Sequence, residues 1–104
     1  MTEPGAQGEI WRVRTPSGRE FSVVVVDSDA VVRLRPTVLC ALVRELRDVP
    51  PSLELLTVQL PGDYVIAIHE LAGLPKECFV ARQARLAEGS LEELKIALRA
   101  RFDL

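Results

Sequence analysis

A chain of 104 residues with 48% hydrophobic and 27% charged side chains has room for one core but not two, and its balance is that of a folded domain, not a disordered segment. Its net charge of −2 excludes a bulk polyanion binder. No stretch approaches the roughly 20 apolar residues of a helical membrane span, and no signal-peptide pattern opens the chain, so a cytoplasmic location is expected.

Met1 to Gly8 reads as a flexible leader, with Pro4 and Gly5 among polar residues, ahead of a single domain over 9–104. From Glu9 to Arg14 the side chains alternate, with Ile10, Arg12 and Arg14 set against Glu9, Trp11 and Val13, which is strand periodicity. Thr15–Pro16–Ser17–Gly18 is turn chemistry, because Pro presets φ and Gly accepts a positive φ. The run Val23 to Val26 is too apolar for an edge and predicts a central strand over Phe21–Val26. A hairpin from Glu9 to Asp27 follows.

Asp27–Ser28–Asp29 breaks that strand, and its side chains suit local hydrogen bonding at a turn. Val31 to Leu34 reads as a short strand or turn ended by Pro36. Val38 to Val43 is apolar enough for a second buried strand, while Leu39, Leu42, Val43 and Leu46 also fit a helical spacing. Pro50–Pro51 ends this segment. Strands are expected over Leu53–Leu60 and Tyr64–His69 around the turn Pro61–Gly62–Asp63, and over Cys78–Leu86 after a turn at Gly73–Leu74–Pro75. In Ser90–Phe102, Ser90 and Glu93 have the spacing of a capping box, and Leu91, Leu94, Leu98 and Phe102 share one face of an amphipathic helix.

Cys40 and Cys78 fall in apolar stretches without the dense spacing of a disulfide framework and read as reduced core residues. With His69 they lack the spacing of a metal site, and neither a metal nor a cofactor is expected. Of the 13 lysines and arginines all but Lys76 and Lys95 are arginine, whose planar fork suits phosphate and carboxylate. Trp11 reads as core, with base stacking as the functional alternative.

Three stretches carry a family resemblance. Gly8–Glu9–Ile10–Trp11–Arg12–Val13 resembles the opening strand of the MazF/PemK toxins. Pro61–Gly62–Asp63–Tyr64–Val65, followed by Gly73–Leu74–Pro75–Lys76–Glu77–Cys78, resembles their middle, and the last helix takes the place of their terminal helix. The resemblance implies a mainly β (α+β) fold: a small, twisted, partly closed β-barrel of the CcdB/PemK type with a C-terminal amphipathic helix, usually paired as a two-fold homodimer. It implies a toxin of a toxin–antitoxin system, a metal-independent endoribonuclease that cuts single-stranded RNA and is neutralised by a cognate antitoxin.

The chain departs from the family's pattern at its usual catalytic positions. Where active members carry an Arg–Pro pair before the central strand, Phe21 and Ser22 stand here, with Arg19 two residues earlier. Where they place a Thr or Ser hydroxyl at the end of the next strand, Val43–Arg44–Glu45 stands here, with no hydroxyl. A metal-free ribonuclease must deprotonate the 2′-hydroxyl, stabilise the pentavalent phosphate and protonate the leaving 5′-oxygen. The residues expected to carry this are Arg19 and Arg44, with Glu45, Glu20 or His69 as acid–base partners. Arg12, Arg14, Ser17, Arg47 and His69 are the expected RNA contacts. The alternative is a MazF-fold binding module that has lost catalysis and recognises a protein or RNA partner.

Overall fold

The computed structural model describes residues 3–104, and Met1 and Thr2 of the expected leader lie outside the described residues. Six strands follow one another as β1 (Glu9–Arg14), β2 (Glu20–Val25), β3 (Thr37–Glu45), β4 (Thr57–Gln59), β5 (Tyr64–Pro75) and β6 (Phe79–Arg85). They form one antiparallel sheet in the order β4-β5-β3-β2-β1-β6. A short helix α1 (Asp29–Leu34) joins β2 to β3, and α2 (Glu88–Phe102) ends the fold.

The β1–β2 hairpin forms as its alternation requires, with Ile10 opposite Val24 and Arg14 opposite Glu20. Its turn is closed by Gly18 N–H on Thr15 O at 2.9 Å, and Gly18 supplies the positive φ of 87°. The valine run is central and buried on both faces. Val23 and Val25 enter a cluster with Trp11, Val13, Val32, Val38, Cys40 and Phe79. Val24 and Val26 enter a second cluster with Ala41, Val58, Ile66, Ile68, Leu94 and Ala97. Helix α1 therefore caps one face through Val32, and α2 the other through Leu94 and Ala97.

The mainly β class with a terminal helix is as expected, but the sheet is not closed. Strand β4 has only three residues and offers too short a ladder to meet β6, so both remain edges. Val38 to Val43 is strand throughout, which settles the helical alternative. Four local expectations are corrected. Asp29–Leu34 is a helix, because one buried Val32 per turn is all it needs to present. The segment Pro51–Leu56 is 3₁₀-helical, with Leu55 in solvent, so the expected strand shrinks to Thr57–Gln59. Gly73–Leu74–Pro75 is not a turn: β5 runs through it, pairing Gly73 with Leu39 and Pro75 with Thr37. Helix α2 starts two residues before Ser90 with Ala87 as N-cap, so the expected capping box does not form.

Within the expected leader, Glu3–Gly8 is held to the domain by named contacts. Gln7 donates its N–H to Asp29 Oδ1 at 2.8 Å and its Nε2 to Val26 O at 2.8 Å. The buried Glu9 carboxylate accepts from Gly5 N–H at 2.9 Å and from Trp11 Nε1 at 3.0 Å. Burial pushes the Glu9 carboxyl up, but hydrogen bonds from Gly5, Trp11, Ala6 and Arg82 outweigh it and hold it below the ordinary carboxylate range. Asp27, read as a turn residue, accepts Leu39 N–H at 2.7 Å. Cys40 is a buried core thiol, pushed up to about 12 chiefly by burial, so it is inert as a nucleophile.

Candidate active site

Of the two arginines expected to act on the phosphate, Arg19 and Arg44, the sheet gives Arg44 a partner that the sequence does not suggest. Arg44 pairs with Val65 across the β3–β5 ladder, so the two side chains share a face. Between the pairs Leu42–Ala67 and Ala41–Leu71, strand β5 carries three extra residues, Ile68, His69 and Glu70. Counting from Ala67, His69 emerges on the Arg44 face; counting back from Ala72, which pairs with Cys40, so does Glu70. A bulge re-aims side chains in this way, bringing neighbours that would alternate to the same side.

The result is a compact charged cluster. Arg44 Nε donates to Glu70 Oε1 and Arg44 Nη2 to Glu70 Oε2, each at 2.7 Å, a bidentate fork. His69 Nε2 stands 3.7 Å from Glu70 Oε1. Its Nδ1 is buried without a hydrogen-bond partner among the described residues. The hydrogen bond from Arg44 holds the Glu70 carboxyl below the ordinary carboxylate range; burial opposes this, and the charges of Arg44 and His69 reinforce it. Side-chain exposure of 37% for Arg44 and 32% for Glu70 leaves both within reach of a ligand, against 15% for His69.

Arg19 belongs to the same side of the sheet. Val13 pairs with Phe21, so Phe21 faces the Trp11–Val13 cluster and packs against it. The Arg19 guanidinium lies over the Phe21 ring, 5.4 Å from its centroid. The last β2–β3 pair is Val23–Leu42, and alternation along each strand puts Phe21 and Arg44 on the face that this pair shares.

The remaining expected residues lie elsewhere. Glu45 follows Arg44 on a continuous strand and therefore points to the opposite face, where it pairs with Arg47. It cannot serve Arg44 as an acid–base partner. Arg12 and Arg14 alternate with Trp11 and Val13 and so share that opposite face, both paired with Glu20 at 3.2 Å and 2.7 Å. The Arg14 hydrogen bond holds Glu20 below its ordinary carboxylate range. Ser17 sits at the hairpin tip, 2.8 Å from Thr15 Oγ1. A groove of about 390 Å³ on this side is lined by Ile10, Ser22, Val43 and Tyr64, among others. Ser22 Oγ and Gln83 Oε1 are hydrogen-bonded across its wall at 2.8 Å. The structure thus joins Arg44, Arg19 and His69 on one face, adds Glu70, and sends Glu45, Arg12, Arg14 and Arg47 to the other. Among the described residues no three His, Cys, Asp or Glu side chains are grouped to hold a metal ion, and no helix is long and apolar enough to cross a membrane.

No family model matches the chain. A probable endoribonuclease, MazF2 of Mycobacterium tuberculosis, is 32% identical over 96 residues, covering 90% of this chain and 94% of that protein. This chain belongs to the MazF family. Solved structures agree on the MazF fold. An endoribonuclease from a mycobacterial species, in complex with its cognate antitoxin, superposes with a TM-score of 0.80 at 14% identity over 97% of both chains. The MazE–MazF complex of Deinococcus radiodurans gives 0.76 at 16% identity, over 100% of this chain and 99% of that one.

Against the MazF pattern, the two residues standing at the usual Arg–Pro positions divide between the faces. Phe21 packs on the Trp11–Val13 side, and Ser22 lines the opposite groove. Arg19 lies over the Phe21 ring on the same face.

Proposed function

We propose that this chain is the toxin of a toxin–antitoxin pair, an endoribonuclease cutting single-stranded RNA at the face that carries Arg44, Glu70 and Arg19. The observation that carries the reading is the Arg44–Glu70–His69 cluster, which sets a guanidinium fork and an ionised carboxylate side by side at an open surface. In this reading a phosphate displaces Glu70 from one arm of the Arg44 fork, and Arg19 supplies a second guanidinium. Freed on that side, Glu70 takes the proton of the neighbouring 2′-hydroxyl. The 2′-oxygen attacks phosphorus, the bond to the 5′-oxygen breaks, and solvent water protonates the leaving oxygen. The products are a 2′,3′-cyclic phosphate and a 5′-hydroxyl. Arg44 and Arg19 hold the charge that develops on the phosphoryl oxygens. His69 touches Glu70 and not the RNA, so it is a positioning residue.

Every proton and charge in these steps is handled by the chain's own side chains and water. Incubation of the pure protein with a long single-stranded RNA in EDTA is therefore expected to give cleavage, with 5′-hydroxyl ends on mapping. Absence of cut ends over long incubation, with tight binding of a protein partner, defeats the enzyme reading and favours the binding module. The presence of Phe21 and Ser22 at the family's usual Arg–Pro positions, and of Val43–Arg44–Glu45 where its hydroxyl is usual, favours that second reading.

The partners that follow are an RNA substrate and a cognate antitoxin, met in the cytoplasm. We also expect a homodimer, since a domain of this size buries a limited share of its surface alone. Sedimentation at micromolar concentration is expected to give a two-chain species, and a clean monomer would refute the pairing.

A further inference from the structure

We infer that Phe21 is a stacking platform for a nucleobase of the bound RNA, and that Arg19 is the lid this base displaces. The inference rests on the RNA reading above and adds to it a binding residue. Three observations converge on Phe21. It is half-buried, with its ring leaning on the Trp11–Val13 cluster, so the platform is rigid. It lies on the same face of the sheet as Arg44, since Val23 and Leu42 pair and each stands two residues away along its strand, so a base on it and a phosphate on Arg44 occupy one face. Its ring is covered in the free protein by an exposed side chain, with the Arg19 guanidinium 5.4 Å from the centroid.

Magnitudes decide whether a base can replace that lid. Stacking a base on an aromatic ring strengthens binding by about 5- to 150-fold, whereas a cation over an exposed ring contributes about 2- to 5-fold. The exchange favours the base, and it releases Arg19 on a face where a phosphate has just arrived. One event therefore creates the stacking contact and frees the second guanidinium.

The test uses two single-stranded probes made uncleavable by 2′-O-methyl sugars, one of mixed sequence and one with the same backbone but no bases. Binding of the intact protein and of Phe21→Leu is measured by fluorescence anisotropy, with thermal melting as the check on folding. The expected result is about a tenfold loss for the base-bearing probe with Phe21→Leu and no change for the abasic one. Equal losses for both probes, or none for either, overturn the platform while leaving the RNA reading standing. Wild-type protein that binds neither probe overturns the RNA reading itself. If the leucine variant does not fold, Phe21→Trp decides. Its added indole emission should be quenched by the base-bearing probe and not by the abasic one, and binding without quenching overturns the platform.

Discussion

Replacing Arg44 with alanine is expected to slow RNA cleavage by about 10²- to 10³-fold, the usual consequence of removing one preorganised donor to a developing oxyanion. The fork is preorganised because Glu70 holds it in the free protein through two bonds of 2.7 Å. Alanine removes the phosphate's main anchor and also strips Glu70 of its partner. Arg44→Lys restores a positive charge but not the planar fork, so it should recover only part of the rate. The pH profile separates this role from a merely structural one. Arg44 holds the Glu70 carboxyl below the ordinary range, and a general base acts in its ionised form. Activity of the wild type should then persist as pH falls, down to that lowered value. In Arg44→Ala the carboxyl loses the hydrogen bond that lowers it, so the acid limb of the residual activity should move to higher pH. Single-turnover rates in EDTA across the acidic range measure both effects. A variant that cuts as fast as wild type, with an unmoved acid limb, removes Arg44 and Glu70 from the mechanism.

The same cluster marks how far the sequence could be read. Arg44 stands out in the sequence because it falls near the place where active relatives keep a hydroxyl. Glu70 does not, since strict alternation after Tyr64–His69 sends His69 and Glu70 to opposite faces. Only the bulge, a tertiary accommodation of β5 to β3, brings them together. Alternation also explains the error at Glu45: adjacency in sequence looked like partnership, whereas on a continuous strand it means opposite faces. The hairpin and central valine strand were legible from period-two patterning and a Pro–Gly turn, both local signals. Gly73–Leu74–Pro75 misled because Pro and Gly mark turns on average. Here Pro75 ends the strand, and the ladder continues past it through Lys76 N–H on Pro36 O at 3.0 Å, where the missing N–H costs nothing. At α2, the Ser90–Glu93 spacing misled, since the helix begins earlier with Ala87 in the extended N-cap conformation and Ser90 lies inside it.

The largest effect on stability is expected at Leu94, not at Leu98. Sequence periodicity placed Leu91, Leu94, Leu98 and Phe102 on one helical face, but the sheet beneath α2 does not extend under the whole helix. Leu94 is fully buried and Leu98 only partly so, while Phe102 is 53% exposed at the free end. Leu94 meets a cluster contributed by four separate strands, through Val24, Ala41, Val58, Ile66 and Ile68. Backbone at that depth is held by ladder pairs such as Val24–Ala41 and Val58–Ile66, so it collapses poorly into a void. Leu94→Ala should therefore cost about 2–5 kcal/mol, the sum of lost transfer free energy and a retained cavity. Ile96→Ala, on a side chain 56% exposed, is the matched control and should change stability by about 0.5 kcal/mol or less. Urea unfolding at fixed protein concentration measures both, because pairing of chains would make the midpoint depend on concentration. The consequence for function follows from where Leu94 sits. It anchors α2 to Ile66 and Ile68, and Ile68 is the first residue of the bulge that aims Glu70 at Arg44. A cavity there loosens the cluster as well as the fold. Leu94→Ala is thus expected to lower cleavage at temperatures below its own unfolding transition, while Ile96→Ala leaves the rate unchanged. Equal stability of the two variants would show that α2 is not seated on the sheet through Leu94.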